Sequence, residues 1–396
     1  MTAIAARVRS DQTAVLAEIA AGAADRERTG TDPHEQIRLL AESGFTAFPL
    51  EDDASVVEIF EFLIALARAD PIVAHILRAH FWFVEQVRRL RDGPDRDRWA
   101  TEIRSGKIFG NATSERTGSA GARQFQTALS PAAGGWQLTG AKFYSTGTAF
   151  SDLVAVTATV QGGDHDGHIA KIVLPVDRPG VTIVDDWDGI GQHRTGTGST
   201  TFTDVSVTDV DIVELLDPAA DRPVANDAAF LQLYLQALIT GILFSVGDDV
   251  AALLRSRTRT FDHAQHAEPR HDAVLLQTVG EIDAAAHVSR AAVLSAAADV
   301  EKAFATARAG QIDTELFATA SLAAARVKVH VDQVGLRAAT ALFDAGGASS
   351  ASRAKNLDRH WRNIRTVTLH NPTSYKAVAV GDHLVNGAPL PRNGYF

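Results

Sequence analysis

Residues 110–115 read GNATSE, and they stand where the pattern of the chain changes. Before them, apolar residues recur three and four positions apart, as at Phe60, Leu63 and Ile64, which is typical of amphipathic helices. After them, as far as about residue 213, apolar and polar residues alternate, which is typical of strands. From residue 226 the helical pattern returns in long Ala-rich segments. The sequence therefore predicts a helical unit, a small β-domain and a helical bundle.

The predicted fold class is α+β, mostly α. Residues 1–108 are expected to form an N-terminal helical domain, residues 109–213 the middle β-domain and residues 214–396 a C-terminal bundle of about four helices. Strands are predicted at residues 136–139, 153–158, 169–174 and 200–205, and long helices at residues 228–255, 273–307 and 314–342. In the N-terminal part, Asp32 is expected to cap one helix and Asp70 the next, which carries His75 and His80.

Composition indicates a folded enzyme-sized protein. The chain has 396 residues, of which 45% are hydrophobic and 22% charged. A net charge of -10 disfavours a nucleic-acid partner, and the absence of cysteine excludes disulfides and thiolate chemistry. The apolar run at residues 230–246 carries Gln232, Gln236 and Thr240, so it is expected to be a buried bundle helix and not a membrane span. With no signal-like apolar core at the N-terminus, the expected location is cytoplasmic.

Several common catalytic signatures are missing from the sequence. It contains no Gly-x-Gly-x-x-Gly after a strand, no Walker A loop and no His-Glu-x-x-His. His263, His266 and His271 have a spacing that a metal could use, but they fall in a polar loop without an acidic or cysteine complement. We therefore expect solvated histidines there and no metal site.

Two polar stretches suit a flat heteroaromatic ligand. Residues 110–119, GNATSERTGS, combine backbone amides with small hydroxyls, although alone they are more typical of an ordinary turn. Residues 140–147 read GAKFYSTG, and Trp187 precedes the stretch GQHRTGTGST at residues 191–200. This ordered set resembles the acyl-CoA dehydrogenase superfamily, and the resemblance covers nearly the whole chain. It implies a flavin cofactor, a barrel-like middle β-domain and a C-terminal four-helix bundle.

The C-terminal part narrows this resemblance to one branch. Residues 343–353, FDAGGASSASR, contain no Glu that could serve as the base of a dehydrogenase. Residues 356–366, NLDRHWRNIRT, residues 369–376, LHNPTSYK, and residues 381–387, GDHLVNG, are similar to the flavin-dependent monooxygenases, most of all to those that act on dibenzothiophene and other organosulfur compounds.

The resemblance implies a set of site residues. Asn111, Ser145 and His370 would surround the reactive flavin atoms, and Trp187 would lie beside the ring. Thr113, Ser114 and Tyr144 would also contact the flavin. Arg259 would bind the phosphate of the flavin from a neighbouring subunit. His80 would be a substrate-side histidine, for which it fits better than His75, although an aromatic helix face with one histidine is as often simply core.

The function implied by the resemblance is that of a two-component monooxygenase. Reduced FMN, rather than FAD, would come from a separate flavin reductase and react with O2 to a C4a-hydroperoxide that must be kept from water. His370, with a pKa near about 6.5, would donate a proton during oxygen transfer to a small, apolar, sulfur-containing substrate. A homotetramer is also implied. The alternatives are an acyl-CoA dehydrogenase, a phenol or amine N-hydroxylase of the same fold, and a non-catalytic binding module.

Overall fold

The N-terminal part is helical, as the apolar spacing predicts. The computed structural model describes residues 3–51, 54–116, 125–218, 227–391, 393 and 396, and the side chains from residue 12 onward. The N-terminal helices are α1 Ala3–Ala20, α2 Ala23–Thr29, α3 His34–Glu42, α4 Phe48–Glu51, α5 Val56–Ala69, α6 Pro71–Ile76, α7 Arg78–Arg89 and α8 Pro94–Arg104.

The two predicted helix starts have different outcomes. Asp70 caps α6 as expected, because its side chain accepts hydrogen bonds from the backbone N–H groups of Ile72 and Val73. The prediction for Asp32 is wrong: α3 begins at His34 with Pro33 at the N-cap and no side-chain cap. Asp32 instead accepts a hydrogen bond from Arg194 Nε at 2.7 Å, a partner 162 residues away.

The predicted β-domain is confirmed as one eight-stranded sheet. Its strands are β1 Phe109–Ala112, β2 Ala128–Ala132, β3 Gly135–Lys142, β4 Leu153–Val160, β5 Ile169–Pro175, β6 Val181–Val184, β7 Ser199–Val207 and β8 Ile212–Leu216. The order is β6-β7-β3-β2-β4-β5-β8, with β1 pairing in parallel with β4. The sequence did not predict β2, β6 and β8, because β2 contains Pro131 and β6 has only four residues, two of them exposed.

The C-terminal part contains the three predicted long helices. They are α9 Ala228–Ser256, α10 Ala273–Arg308 and α11 Thr314–Gly346, followed by the shorter α12 Asp358–Thr368 and α13 Thr373–Asn386. The three long helices pack against one another, and α5 packs against α9 and α10, so N-terminal and C-terminal helices share one apolar core. By length and composition α9 could cross a membrane, but Phe230, Leu233 and Val246 are fully buried inside this core. The prediction of a core helix is confirmed.

A separate aromatic cluster joins α7 to the sheet. The rings of Phe83 and Phe109 stack with centroids 4.2 Å apart, and Trp99 packs edge-on against both. This cluster holds β1, and with it Asn111, against the helices. The domain boundaries at residues 108 and 213 stay predictions.

Candidate functional site

A buried ion pair joins the two polar stretches of the sequence. Lys142 Nζ lies 2.8 Å from Glu115 Oε1 and donates to the Thr113 carbonyl at 3.2 Å. Burial lowers the pKa of Lys142 to about 8 against the opposing effect of Glu115. Burial alone would raise the pKa of Glu115, but hydrogen bonds from Lys142 and from two backbone amides lower it to about 2. Both groups are therefore charged at neutral pH, and they fix residues 113–115 beside residues 142–145.

Two glycines are required where these segments meet. Gly140 has a φ of +155°, and a Cβ there would lie 2.6 Å from the Thr127 Cα. Gly147 has a φ of +84°, and a Cβ there would lie 2.2 Å from the carbonyl oxygen of Ile76. The loop after β3 therefore rests directly on the end of α6.

Asn111 and Ser145 both bond to Thr148, whose backbone N–H donates to the Ser145 carbonyl at 3.0 Å. The Asn111 backbone N–H donates to Thr148 Oγ1 at 3.1 Å, and Thr148 Oγ1 donates to the Asn111 carbonyl at 2.8 Å. The Ser145 backbone N–H donates to the Gly198 carbonyl at 3.0 Å. The Ser145 hydroxyl is buried and has no hydrogen-bond partner within the described part of the chain. A buried hydroxyl of this kind marks a position where a ligand atom can bind.

Thr113 and Ser114 contribute mainly through the backbone. The Ser114 carbonyl accepts a hydrogen bond from the Phe143 N–H at 2.8 Å, and both side chains are half-buried. Of the predicted stretch at residues 110–119, residues 117–119 lie outside the described residues.

Tyr144 and Trp187 form an aromatic pair at the surface. Tyr144 has a φ of +58°, which is rare for a bulky residue, and its side chain is 58% exposed. Its ring centroid lies 6.2 Å from that of Trp187, and the rings are nearly perpendicular. Trp187 Nε1 donates to the Gly191 carbonyl at 3.2 Å. The strained backbone of Tyr144 thus turns an aromatic ring outward beside the Ser145 loop.

Gln192 connects the turn at residues 191–200 to two helices. Its Oε1 lies 2.9 Å from His75 Nδ1 on α6, and its backbone N–H donates to Asn363 Oδ1 on α12 at 2.7 Å. Its Nε2 is buried without a partner among the residues that the structure describes. A Cβ on Gly191 would lie 2.3 Å from the Arg362 carbonyl oxygen, so the turn packs closely on α12.

His370 follows α12, whose last residue is Thr368. Its side chain keeps solvent-exposed surface although protein surrounds it on the other sides. Desolvation by that protein, followed by the charges of Arg78 and Lys328, lowers the pKa of His370 well below its usual range. A positive charge on His75 would lower this pKa further, so His75 of α6 and His370 lie within electrostatic reach of each other. The expectation of an ordinary imidazole pKa is therefore corrected: His370 is neutral at pH 7.

The structure corrects the substrate-side role expected for His80. His80 is fully buried, its Nε2 lies 3.0 Å from the Thr46 carbonyl, and its Nδ1 accepts a hydrogen bond from the Phe109 N–H at 3.3 Å. Backbone groups thus engage both ring nitrogens, so His80 positions β1. His75, one helix earlier, is the histidine that contacts the site.

Arg259 and the loop histidines lie elsewhere on the chain. Arg259 is exposed after α9, and its carbonyl accepts a hydrogen bond from Arg257 Nε at 2.9 Å. Its expected role toward a neighbouring subunit stays a prediction. His266 and His271 are ring neighbours at 5.1 Å, and the described residues contain no cluster of three or more metal-ligating side chains.

The sequence did not indicate Gln192, Asn363 and Arg78 as residues of this site, and for the substrate-side histidine it favoured His80 over His75. For Arg78 a signal was present, because it is the only charged side chain in the apolar segment between residues 71 and 84. His75 and Gln192 are 117 residues apart, and no local pattern predicts their contact.

Comparison with known proteins agrees with this geometry. Residues 110–205 match the acyl-CoA dehydrogenase middle domain, and residues 233–375 match the acyl-CoA dehydrogenase C-terminal domain. The chain is 26% identical over 384 residues to the probable FMNH2-dependent monooxygenase SfnC of Pseudomonas putida, covering 93% of this chain and 92% of the relative. It is 27% identical over 390 residues to a dibenzothiophene monooxygenase of Rhodococcus erythropolis, covering 96% and 91%.

A solved structure extends the match to the whole fold. FMN-bound TdsC from Paenibacillus sp. A11-2 superposes with a TM-score of 0.90 at 25% identity, covering 98% of this chain and 100% of that one. The chain belongs to the acyl-CoA dehydrogenase family and, within it, to the branch of flavin-dependent monooxygenases.

Proposed function

We propose that this protein is the oxygenase of a two-component system, which takes reduced FMN from a separate flavin reductase and uses O2 to oxygenate a small organosulfur compound. The observation that carries the proposal is the buried Ser145 hydroxyl, which has no hydrogen-bond partner among the described residues. It lies in a loop that contacts the strand of Asn111 through Thr148 and the end of α6 at Gly147.

The residues present fit a flavin. An isoalloxazine ring carries carbonyl oxygens and ring nitrogens that need hydrogen-bond partners, and the Ser145 hydroxyl and Gln192 Nε2 supply two buried groups of this kind. The residues that would hold the cofactor are Asn111, Thr113, Ser114, Tyr144, Ser145 and Trp187, with Arg259 of a neighbouring subunit toward the phosphate. Bound reduced FMN supplies two electrons to O2, so that one oxygen atom goes to the substrate and the other leaves as water.

His370 acts as a neutral hydrogen-bonding group in this proposal. Because its pKa lies well below the usual range, the imidazolium form is scarce at pH 7. The neutral ring holds one proton on one nitrogen and can donate it to the oxygen atom being transferred.

Sulfur is the proposed acceptor because the similar proteins include dibenzothiophene monooxygenases. FMN is preferred to FAD because the similar TdsC structure is FMN-bound. A homotetramer remains part of the proposal, and the exposed apolar side chains of α13, Tyr375, Val378, Leu384 and Val385, support an interface between copies. The cytoplasmic location stays a prediction.

Two binding experiments test the proposal. The purified protein is expected to bind reduced FMN under anaerobic conditions, and oxidised FMN in the complex is expected to keep its visible absorbance when acyl-CoA thioesters are added. Bleaching by acyl-CoA would favour the dehydrogenase alternative, and failure to take up any flavin would favour the non-catalytic binding module. A product with oxygen on a phenol carbon or an amine nitrogen would identify the remaining alternative.

A further inference from the structure

Gln192 has a strained backbone that is held partly from outside its own turn. Its φ is +55°, which is rare for a residue other than glycine, and the residue is almost fully buried. The Gln192 N–H donates to Asn363 Oδ1 on α12 at 2.7 Å, and the Gln192 carbonyl accepts from the Thr195 hydroxyl at 2.8 Å. The conformation of Gln192 therefore depends on the side chain of Asn363 as well as on the turn.

Glu27 on α2 fixes the orientation of the Asn363 amide. Glu27 Oε2 accepts from Asn363 Nδ2 at 3.0 Å, and Glu27 Oε1 pairs with Arg362 Nη1 at 3.1 Å. Burial raises the pKa of Glu27, and the charge of Arg362 opposes this rise. Because a carboxylate only accepts, the amide nitrogen of Asn363 faces Glu27 and its oxygen is left for the Gln192 N–H.

The other partner of the His75 contact is held from the same helix. Arg26, the neighbour of Glu27 in the chain, pairs with Asp70 at 2.9 Å between Nη2 and Oδ2. Asp70 in turn caps α6, the helix that carries His75. Adjacent residues of α2 thus hold the two elements that meet where His75 Nδ1 contacts Gln192 Oε1 at 2.9 Å.

The Gln192 turn is also bonded to the loop of Ser145. The Gly147 N–H donates to the Thr195 carbonyl at 2.9 Å, and the Ser145 N–H donates to the Gly198 carbonyl at 3.0 Å. The Ser145 hydroxyl and Gln192 Nε2 are both buried without a partner among the described residues. These two groups therefore lie on segments that bond directly to each other.

We propose that Glu27 is a positioning residue of the flavin site, which through Asn363 holds the Gln192 amide where its Nε2 can donate to a carbonyl oxygen or ring nitrogen of bound flavin. This inference rests on the proposed function, in which Gln192 Nε2 contacts the cofactor. Without Glu27 the Asn363 amide is free to rotate, the strained φ of Gln192 can relax, and the donor loses its direction.

A double-mutant cycle in FMN binding tests the proposal. Glu27→Ala is expected to raise the dissociation constant of oxidised FMN about 3- to 10-fold, the range of one lost hydrogen bond. Gln192→Gly removes the amide and tolerates the positive φ, and it should raise the constant by a similar factor. In the Gln192→Gly background, Glu27→Ala should change the constant less than about 2-fold, because the donor that it positions is absent. Equal factors in both backgrounds, or wild-type affinity in a folded Glu27→Ala, would overturn the proposal.

Asp211→Ala is the matched control for the loss of a buried ion pair. The Asp211 side chain is 4% exposed and its partner Arg178 is 24% exposed. The corresponding values are 4% for Glu27 and 22% for Arg362. Asp211→Ala should lower the melting temperature as Glu27→Ala does, but FMN should bind as in wild type. An equal loss of FMN affinity in the two variants would contradict the positioning role.

Glu27→Gln provides a second, milder variant. It keeps an acceptor for Asn363 and loses the charge that pairs with Arg362, so the dissociation constant of FMN should rise less than in Glu27→Ala. If Glu27→Ala does not fold, Glu27→Gln carries the same cycle with Gln192→Gly. An effect of Glu27→Gln that is undiminished in the Gln192→Gly background would overturn the proposal.

Hydrogen exchange separates this proposal from the proposed function. Without flavin, exchange of the Gln192 N–H should be about 3- to 10-fold faster in Glu27→Ala than in wild type or Asp211→Ala, because its acceptor is no longer oriented. If wild type binds FMN and oxygenates a thioether but the cycle shows no coupling, the function holds and the positioning role falls. If wild type binds no FMN, the proposed function fails, while the exchange of the Gln192 N–H still decides whether Glu27 holds this residue.

Discussion

His75 Nδ1 and Gln192 Oε1 lie 2.9 Å apart, and this contact connects α6 to the turn that α12 supports. Because an amide oxygen only accepts, His75 carries its proton on Nδ1, and Nε2 is left as an acceptor. Burial, with a further contribution from Arg78, lowers the pKa of His75 to about 4, so the ring is neutral at pH 7. The contact between α6 and this turn is thus made by two neutral side chains, and its geometry depends on Gln192.

Asn363 is expected to stabilise the Gln192 turn. Its Oδ1 accepts from the Gln192 N–H, and its Nδ2 donates to the buried Glu27 Oε2 at 3.0 Å. Asn363→Ala leaves the Gln192 N–H without its partner and removes one of the donors to Glu27, which keeps its ion pair with Arg362. The free energy of unfolding should fall by about 1–3 kcal/mol. Urea denaturation measures it, with the exposed Asn386→Ala as control. Equal stability of the two variants would contradict the role of Asn363.

Ser145→Ala separates ligand binding from folding. Without flavin the hydroxyl has no partner among the described residues, so its removal should leave the free energy of unfolding within about 0.5 kcal/mol of wild type. The FMN dissociation constant should rise about 3- to 10-fold, because a hydrogen bond to the ligand is lost. Ser289→Ala removes a similarly buried, unpartnered hydroxyl from α10 and should not change FMN binding. A loss of FMN affinity in both variants would refute a specific role for Ser145.

Protonation of Glu115 is expected to destabilise the protein at acid pH. Its pKa falls from 4.5 to about 2 on folding, so its contribution is present above about pH 4.5 and is lost as pH drops toward 2. Glu115→Gln leaves Lys142 buried without a carboxylate and should cost about 3–5 kcal/mol near neutral pH.

Urea titrations of the wild type and Glu115→Gln across this range measure the difference. The difference in the free energy of unfolding between wild type and Glu115→Gln should become smaller as Glu115 of the wild type takes up a proton. Glu102→Gln, at a partly exposed pair with Lys107, should cost at most about 1 kcal/mol. If this difference in the free energy of unfolding stays constant down to pH 2, protonation of Glu115 does not control the stability of the protein.

His370 is expected not to titrate in the working range. Because its pKa lies well below 6.5, oxygenation should show no inflection from His370 between about pH 6 and about pH 8. His370→Ala should reduce oxygenation about 100-fold and release more hydrogen peroxide, and His370→Gln, which keeps a donor, should lose less. Single-turnover rates measure both effects. An inflection near 6.5 that vanishes in His370→Gln would show instead that the imidazolium donates the proton.

The fold was largely predictable because its signals are local. The alternation of β4, the mostly apolar run of β5 and the apolar spacing of α9 each arise within one element. The site was less predictable because its contacts are long-range. The residues near His80 in sequence do not indicate that its two ring nitrogens form hydrogen bonds with the Thr46 carbonyl and the Phe109 N–H. Likewise, the residues near Asp32 do not indicate that its side chain pairs with Arg194 instead of capping α3.

The polar stretches gave an intermediate result. The resemblance implied that Asn111 and Ser145 lie around the same ligand. The structure brings their segments together through Thr148 and through the ion pair of Glu115 with Lys142. The sequence did not predict the positive charges that lower the pKa of His370, because Arg78, Lys328 and Lys376 come from three separate helices.

Oxygen transfer is most directly tested with ¹⁸O₂. The protein is supplied with a flavin reductase, NADH, FMN and either methyl phenyl sulfide or benzenesulfinate. The mass of the product is then measured by mass spectrometry. The account predicts that one labelled oxygen atom enters the organosulfur product with wild-type protein, and that His370→Ala forms about 100-fold less of it. A product without label, or an equal yield from His370→Ala, would contradict it.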